Sequence, residues 1–503
     1  TRRSLTVTEN AYAALEKRFR RYSALSGASG LLGWDQETMM PSGGAEARAE
    51  QLATLDVLQH ELLSAPAVSE ELARAEADSA DLDPMQQANL REMRRVHTNE
   101  TVAPADLVEA RSRAVSACVV AWRDARAQDD FSAVSGKLAT VLELTREYGA
   151  VKSEKLGCGL YDALIDSYEP GGTMAWIDPV FARLKAELPG LMEKILERQA
   201  AGPAPLSPEG PFPAALQKQL GERVMRALGF DFAHGRLDES AHPFTGGIPD
   251  DVRITTRYSE KDFTSALMGV IHETGHALYE RGLPVEWRNQ PVGSSRGMVM
   301  HESQSLLMEM QACRAPAFYR FLAPLASEVL DAGGLAMTPE NLNRIGHRVA
   351  RGLIRVDADE VTYPLHVMLR YDLEKALLSG DLPLKDLPGA WRDGLKASLG
   401  VAPEDDRDGC LQDIHWYHGS FGYFPTYTLG ALAAAQLFKA AHDALPDLDE
   451  RIAAGDFTTL LGWLVENVHS VGSAKTTDEI ISAATGAPLS ADAFLNHLNT
   501  RYL

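Results

Sequence analysis

Ser265-Ala-Leu-Met-Gly-Val-Ile-His272-Glu273-Thr-Gly-His276-Ala-Leu-Tyr279 is the stretch around which the rest of the chain organises itself. Apolar and small residues recur through it at helical spacing without a proline, which predicts a helix. Ser259 and Asp262 stand where an N-terminal cap belongs, and Gly282 followed by Pro284 marks the other end. Residues four apart share a helix face, so His272 and His276 can aim both imidazoles at one cation. Glu273 lies beside the first histidine and can reach a water on that cation, the place of a general base. H-E-x-x-H arises by chance in roughly 3% of chains of this size and composition, and a capped helical setting makes a chance match rarer.

A catalytic metal needs a third protein ligand and one position left for water. Glu302, in His301-Glu302-Ser303-Gln304, follows His276 by 302 − 276 = 26 residues and opens a second helical run. The loop between, with Pro284, Pro291 and Gly293, lets that run fold back on the first. His301 is the rival ligand in the motif, although as Glu302's neighbour it points to another face. Glu309, two turns on, either orients a ligand or is a solvated surface carboxylate.

Helical signals dominate elsewhere. Tyr12, Leu15, Phe19 and Tyr22 make one apolar face near the start, and residues 46–63 and 70–78 are rich in helix formers. The acidic run from Glu70 to Asp83 reads as a solvated helix face and its loop. Thr476 and Glu479 predict a capping box, with that helix stopping at Gly486-Ala487-Pro488 and a last one starting at Ser490. Gly202 to Pro213, with prolines at 203, 205, 208, 211 and 213, predicts an extended surface excursion rather than a domain linker. From Gly235 to Tyr258 the pattern changes: Val252, Ile254 and Thr256 alternate with Arg253, Thr255 and Arg257 after a Gly246-Gly247 turn, which predicts a small hairpin or sheet.

Composition excludes several classes. The 503 residues carry 49 Lys+Arg and 70 Asp+Glu, a net charge of −21, which argues against nucleic acid and anionic membrane surfaces as partners. A 45% hydrophobic content in so long a chain is that of a folded protein with a large core, not a disordered one. The apolar run Leu429 to Phe438 is too short to span a bilayer, so no membrane association is expected. Thr1-Arg2-Arg3-Ser4-Leu5 leads towards the first helix without the pattern of a secretory leader. Cys118, Cys158, Cys313 and Cys410 are widely spaced, as befits buried thiols in a reducing, cytoplasmic setting.

Taken together, the ordered motifs resemble the carboxypeptidase Taq family of metallocarboxypeptidases nearly end to end. They are His242-Pro243-Phe244, Asp251-Val-Arg253-Ile-Thr255, His272-Glu273-Thr-Gly-His276, His301-Glu302-Ser303-Gln304, Ile354-Arg355-Val-Asp-Ala358 and Gly409-Cys-Leu-Gln412-Asp413-Ile-His415-Trp416. Trp34 to Pro41 and Gly43 to Leu52 also match. The resemblance implies a mainly α fold: a saddle- or clam-shaped helical unit with a deep groove and a small β-sheet, similar to neurolysin and angiotensin-converting enzyme. Length alone suggests about three domains. The resemblance implies instead one catalytic unit over residues 1–503, with a helical N-terminal part to about 200 and a zinc-site core over about 235–430. It further implies release of single C-terminal amino acids with broad preference and poor action at proline, bound Zn2+ or Co2+, and a homodimer.

Roles follow from that chemistry. His272, His276 and Glu302 are the expected metal ligands and Glu273 the base. His415, through its motif, and Tyr423 in Phe421-Gly-Tyr-Phe-Pro425 are candidate donors to the oxyanion. Recognition of a free carboxylate suits arginine: Arg355 through its motif, Arg253 on the predicted strand second, with Arg348 and Arg351 nearby but outside any motif. His242, held extended by Pro243, is a candidate for the substrate backbone. Asp357, Asp359 and Glu360 are candidates to pair with these arginines or orient a ligand. The competing readings are an oligopeptidase or dipeptidyl carboxypeptidase with the same metal core, and a catalytically silent scaffold.

Overall fold

Most of the chain folds into helices because its apolar residues recur every three to four positions; the computed structural model describes residues 10–503. The expectation for Thr1 to Leu5 lies outside those residues. Helices Ala11–Thr38, Ala45–Ser64, Pro66–Ala77 and Pro84–Thr101 pack around Tyr12, Leu15, Phe19, Leu63, Leu72 and Met93. Tyr22 packs against that cluster from its edge. A second, much larger apolar core draws on residues as far apart as Cys118 and Tyr502. Buried polar contacts join the two: Asn89 Nδ2 donates to Gln290 Oε1 at 3.1 Å, and Arg296 Nη1 to Glu92 Oε1 at 2.8 Å.

The predicted punctuation is present. Asp262 accepts from the Thr264 amide to cap the helix Phe263–Gly282. Thr476 and Glu479 form their reciprocal box, Gly486 ends that helix at φ 81°, and Ser490 Oγ accepts from Asp492 N before the last helix. Residues 203–213 are extended. The run Leu429 to Phe438 lies in helix Phe424–Ala444, which is buried on nearly every side, so its all-round apolarity serves the core. Among the described residues no helix is long and apolar enough to cross a membrane.

The sheet differs from expectation in one detail. Strands β1 (Gly235–Glu239), β2 (Thr245–Ile248) and β3 (Asp251–Thr256) lie in the order β1-β3-β2, with β1 parallel and β2 antiparallel to β3. Gly246 and Gly247 were expected to be the turn but lie within β2, opposite Arg253 and Val252; the turn is Pro249-Asp250. The glycine signal has a different cause. Gly247 has φ 101°, and a Cβ there would sit 2.0 Å from the Asp251 carbonyl oxygen, so the tight approach of β2 to β3 demands glycine two residues before the turn.

Close packing explains how the motif helix meets its partner. A Cβ on Gly275 would lie 2.5 Å from the Gln304 carbonyl oxygen, so the glycine in His-Glu-Thr-Gly-His lets helix Met298–Leu306 lie directly against it. Gly430 does the same on the opposite side, where a Cβ would meet Glu302 Cβ at 2.8 Å. Helix Met298–Leu306 is thus clamped between two glycine faces. Its start is clasped as well: Glu169 Oε2 accepts the Val299 amide at 3.0 Å and the Tyr168 carbonyl accepts the Met298 amide at 2.8 Å.

Candidate metal centre

The clamp brings three ligand-type side chains together. One ligand atom each from His272, His276 and Glu302 lies within 4.8 Å of the others. Glu302 Oε2 is 3.8 Å from His272 Nε2 and 3.5 Å from His276 Nε2, so both imidazoles turn the same nitrogen towards one carboxylate oxygen. Glu302 and His276 are buried and His272 is partly open. Two imidazoles and a carboxylate converging at a buried point, one side left accessible, are a donor set suited to a divalent cation with an open position.

The electrostatics of the bare cluster reflect the crowding. Burial alone would lower His272, but Glu302, Glu309 and Glu273 outweigh it and raise the imidazole to about 10. His276 moves the other way, lowered by burial and by neighbouring His301. Burial would raise Glu302, yet His272 and His276 hold it below the usual carboxylate range. A cation held by these three side chains would take the place of the proton on His272 and reverse that balance.

Support from behind is more extensive than the sequence indicated. Past Leu306 the helix continues as a π-helical turn, Leu307–Ala312, which carries Glu309. Glu309 Oε2 accepts from His272 Nδ1 at 3.0 Å while its other oxygen accepts from Arg314 Nη2 at 2.8 Å. The surface reading of Glu309 is therefore corrected: two turns past Glu302 it stays on nearly the same helix face, and that face is buried against His272. Helical spacing also put His301 on a separate face, but the helix packing sets its Nδ1 2.6 Å from His276 Nδ1. Glu273 is buried, and Thr245 Oγ1 donates to its Oε2 at 2.6 Å. Thr245 was not singled out, although it directly follows the quoted His242-Pro243-Phe244.

A second cluster lies on the loop Gly409 to Phe421 and the helices beside it. Asp413 bridges two buried guanidiniums: its Oδ1 accepts from Arg355 Nη2 at 2.7 Å and its Oδ2 from Arg370 Nε at 2.6 Å. Gln412 Oε1 accepts from the Arg355 amide and from Arg370 Nη2. Arg355 Nη1 donates to the Tyr363 phenol at 3.1 Å. Two arginines share one carboxylate, so the cluster keeps one positive charge in excess, and burial together with Arg355 lowers His415 to about 3. His415 is thus a neutral imidazole, with Nε2 3.1 Å from the Tyr427 hydroxyl and Nδ1 buried without a partner. Tyr363 and Tyr427 line this cluster, the one through Arg355 and the other through His415.

Glu374 anchors this loop: its carboxylate accepts from Trp416 Nε1 at 2.7 Å, the Gly422 amide at 2.9 Å and the Tyr161 hydroxyl. Tyr423 follows at once, edge-on to Tyr168 and Tyr427, with burial holding its phenol protonated far above the ordinary range.

The remaining candidates are elsewhere engaged. Arg253 is bidentate to Asp251 on its own strand, at 3.0 and 2.7 Å, and lies 4.5 Å over the Trp34 ring. His242 is exposed between β1 and β2. Arg351 pairs with Glu193 at the surface. Asp359 accepts the Ala350, Val361 and Thr362 amides, and Glu360 pairs with Arg501 and His497, so neither serves the arginines proposed for it; Asp413 does. Asp413, Arg370, Tyr363 and Tyr427 were not assigned roles from sequence; Asp413 alone lay inside a quoted motif.

The chain is similar to known proteins over nearly its whole length. The family described as carboxypeptidase Taq (M32) metallopeptidase matches residues 14–502. Thermostable carboxypeptidase 1 of Thermus thermophilus is 39% identical over 506 residues, covering 98% of each chain. Among solved structures, metallocarboxypeptidase 1 of Trypanosoma cruzi superposes with a TM-score of 0.96 at 41% identity, covering 98% of this chain and 99% of that one. The M32 carboxypeptidase of Deinococcus radiodurans R1 superposes with a TM-score of 0.91 at 36% identity, over 98% and 99%.

Proposed function

The chain belongs to the carboxypeptidase Taq (M32) family of metallopeptidases, and from that premise we propose that it releases single amino acids from the free C-termini of peptides. It is a metallocarboxypeptidase, a peptide hydrolase. The finer reading concerns the residues, the metal and the substrate range.

His272, His276 and Glu302 hold the metal in this reading, with Zn2+ the first choice and Co2+ compatible with the same donors. When bound, such a cation supplies Lewis acidity, making water acidic and polarising a carbonyl. Glu273 takes the proton of the attacking water and returns it to the leaving amine, its carboxylate aimed by Thr245. His415, neutral, and Tyr423, a protonated phenol, stabilise the oxyanion as N–H and O–H donors rather than as charges.

One observation carries the exopeptidase assignment. The buried Arg355–Asp413–Arg370 cluster has one positive charge more than its own carboxylate neutralises, and Arg355 Nη1 contacts only a neutral phenol. A substrate carboxylate completes that cluster. An oligopeptidase would have no use for the unpaired charge. Arg253 and His242 take minor parts at most, given the partners of the one and the exposure of the other. We read residues 1–503 as one catalytic unit, supported by the large core that draws on residues from Cys118 to Tyr502 and by the buried polar contacts that tie the N-terminal helices to it, acting in the cytoplasm as a homodimer, broad in side-chain preference and poor at proline.

The test is a matched pair of peptides differing only in a free or amidated C-terminus. Hydrolysis confined to the free acid supports the proposal; equal rates on both would replace it with the oligopeptidase reading.

A further inference from the structure

His276 carries a hydrogen-bond chain that the metal-ligand roles do not account for. Its Nδ1 lies 2.6 Å from His301 Nδ1, and His301 Nε2 lies 2.9 Å from Glu280 Oε1. A contact between two ring nitrogens is attractive only with one proton between them, so the tautomers are linked. His276 turns Nε2 towards Glu302, at 3.5 Å, and as a ligand needs its lone pair there. The hydrogen then sits on His276 Nδ1 and is donated to His301 Nδ1. His301 in turn carries its own hydrogen on Nε2 and donates it to Glu280. Each atom in the chain has one consistent role.

The chain is built from sequence-adjacent parts. His272, His276 and Glu280 are spaced by four on one helix and share its face. His301 directly precedes the third ligand, so the packing that brings Glu302 to the triad brings His301 behind His276. The two histidine ligands are thus backed differently. His272 donates straight to Glu309, which Arg314 fixes; His276 reaches its carboxylate through a second imidazole.

We propose that His301 is a positioning residue for the metal centre, a relay that fixes the tautomer and ring orientation of His276 by accepting its Nδ1–H and passing the hydrogen-bond chain to Glu280. This rests on the ligand assignment above. His301 also stacks edge-on against Tyr279, at 5.5 Å, so a merely structural role has to be separated from the relay.

The experiment measures the zinc dissociation constant by competition with a chromophoric chelator, together with the metal-free melting temperature, for the full chain and three variants. His301→Phe keeps a ring and removes the acceptor; His301→Gln restores an acceptor; His276→Ala removes the ligand itself. The relay predicts that His301→Phe weakens zinc binding about ten- to a hundredfold with unchanged stoichiometry and melting temperature. His301→Gln recovers most of that loss, while His276→Ala loses far more. Wild-type zinc affinity in His301→Phe overturns the relay, as does a loss that tracks a lowered melting temperature and is not recovered by Gln. A loss in His301→Phe as complete as that in His276→Ala makes His301 a ligand and overturns it too. Wild-type affinity in His276→Ala instead brings down the ligand assignment, a result separate from failure of the relay.

Discussion

Thr245 Oγ1 donates to Glu273 Oε2 at 2.6 Å, so the edge strand β2 holds the carboxylate of the metal motif. The same hydroxyl reaches the Glu273 carbonyl oxygen at 3.0 Å, tying strand to helix at the residue proposed to move the proton. A hydrogen bond to a charged group is worth about 1.5–3 kcal/mol. Thr245→Val keeps the branched shape and is expected to lower kcat roughly tenfold to a hundredfold, with KM and zinc affinity unchanged. Thr245→Ser should restore most of the rate. Wild-type kcat in the valine variant would show that the strand does not aim the base.

Glu273→Gln removes the proposed base while keeping size and the partner of Thr245. Turnover should fall at least about a hundredfold, the lower range for a lost general base, with zinc content and melting temperature retained. Steady-state kinetics beside metal analysis decides it. Full activity in that variant would assign the proton transfer to another group.

The parts legible in the sequence were those set by short-range spacing. The helical face of His272 and His276, the capping box at Thr476 and the identity of Glu302 all follow from positions a few residues apart, or from a motif quoted whole. What escaped depends on packing between distant segments. Glu309 faces His272 because the helix that carries Glu302 packs directly against the motif helix. His301 meets His276 only because Gly275 lets two helices approach. Thr245 and Asp413 are placed by a strand and a loop whose partners lie far away in the chain, at Glu273 and at Arg355 and Arg370. The Gly246-Gly247 pair was misread as a turn because glycine serves close backbone approach as readily as turning.

Arg355→Ala is expected to reduce kcat/KM on free-acid peptides by two orders of magnitude or so, the loss of about 3 kcal/mol from a buried charged contact. The small residual rate on the amidated peptide should change far less, so the preference for a free acid collapses. An equal fall on both peptides would mean that Arg355 supports the fold around Asp413 rather than reading the substrate terminus.

Acid should destabilise the protein, with a sign set by its buried imidazoles. Burial lowers His366, His415 and His469 to about 3 and His347 to about 4, from an ordinary 6.5. The folded state binds fewer protons than the unfolded chain in that window, so their contribution is fully present above about 6.5 and drains away as pH falls. Glu169 and Glu374, raised by burial to about 7, act in the opposite direction: their contribution is present below the ordinary 4.5 and lost as pH rises through about 7. Four groups outnumber two, so the melting temperature should drop on going from pH 7 to pH 5. Calorimetry across that range measures it, and a melting temperature that rises on acidification would contradict this balance.

The central claim is metal-dependent removal of one C-terminal residue at a time, carried out by Glu273 with the free carboxylate held at Arg355. Mass spectrometry of a defined peptide, digested over time with and without a chelator, addresses it most directly. The account predicts a ladder of successive single-residue losses from the C-terminus that disappears with the chelator and returns on adding zinc. Internal fragments, losses in steps of two residues, or a ladder indifferent to the chelator would contradict it.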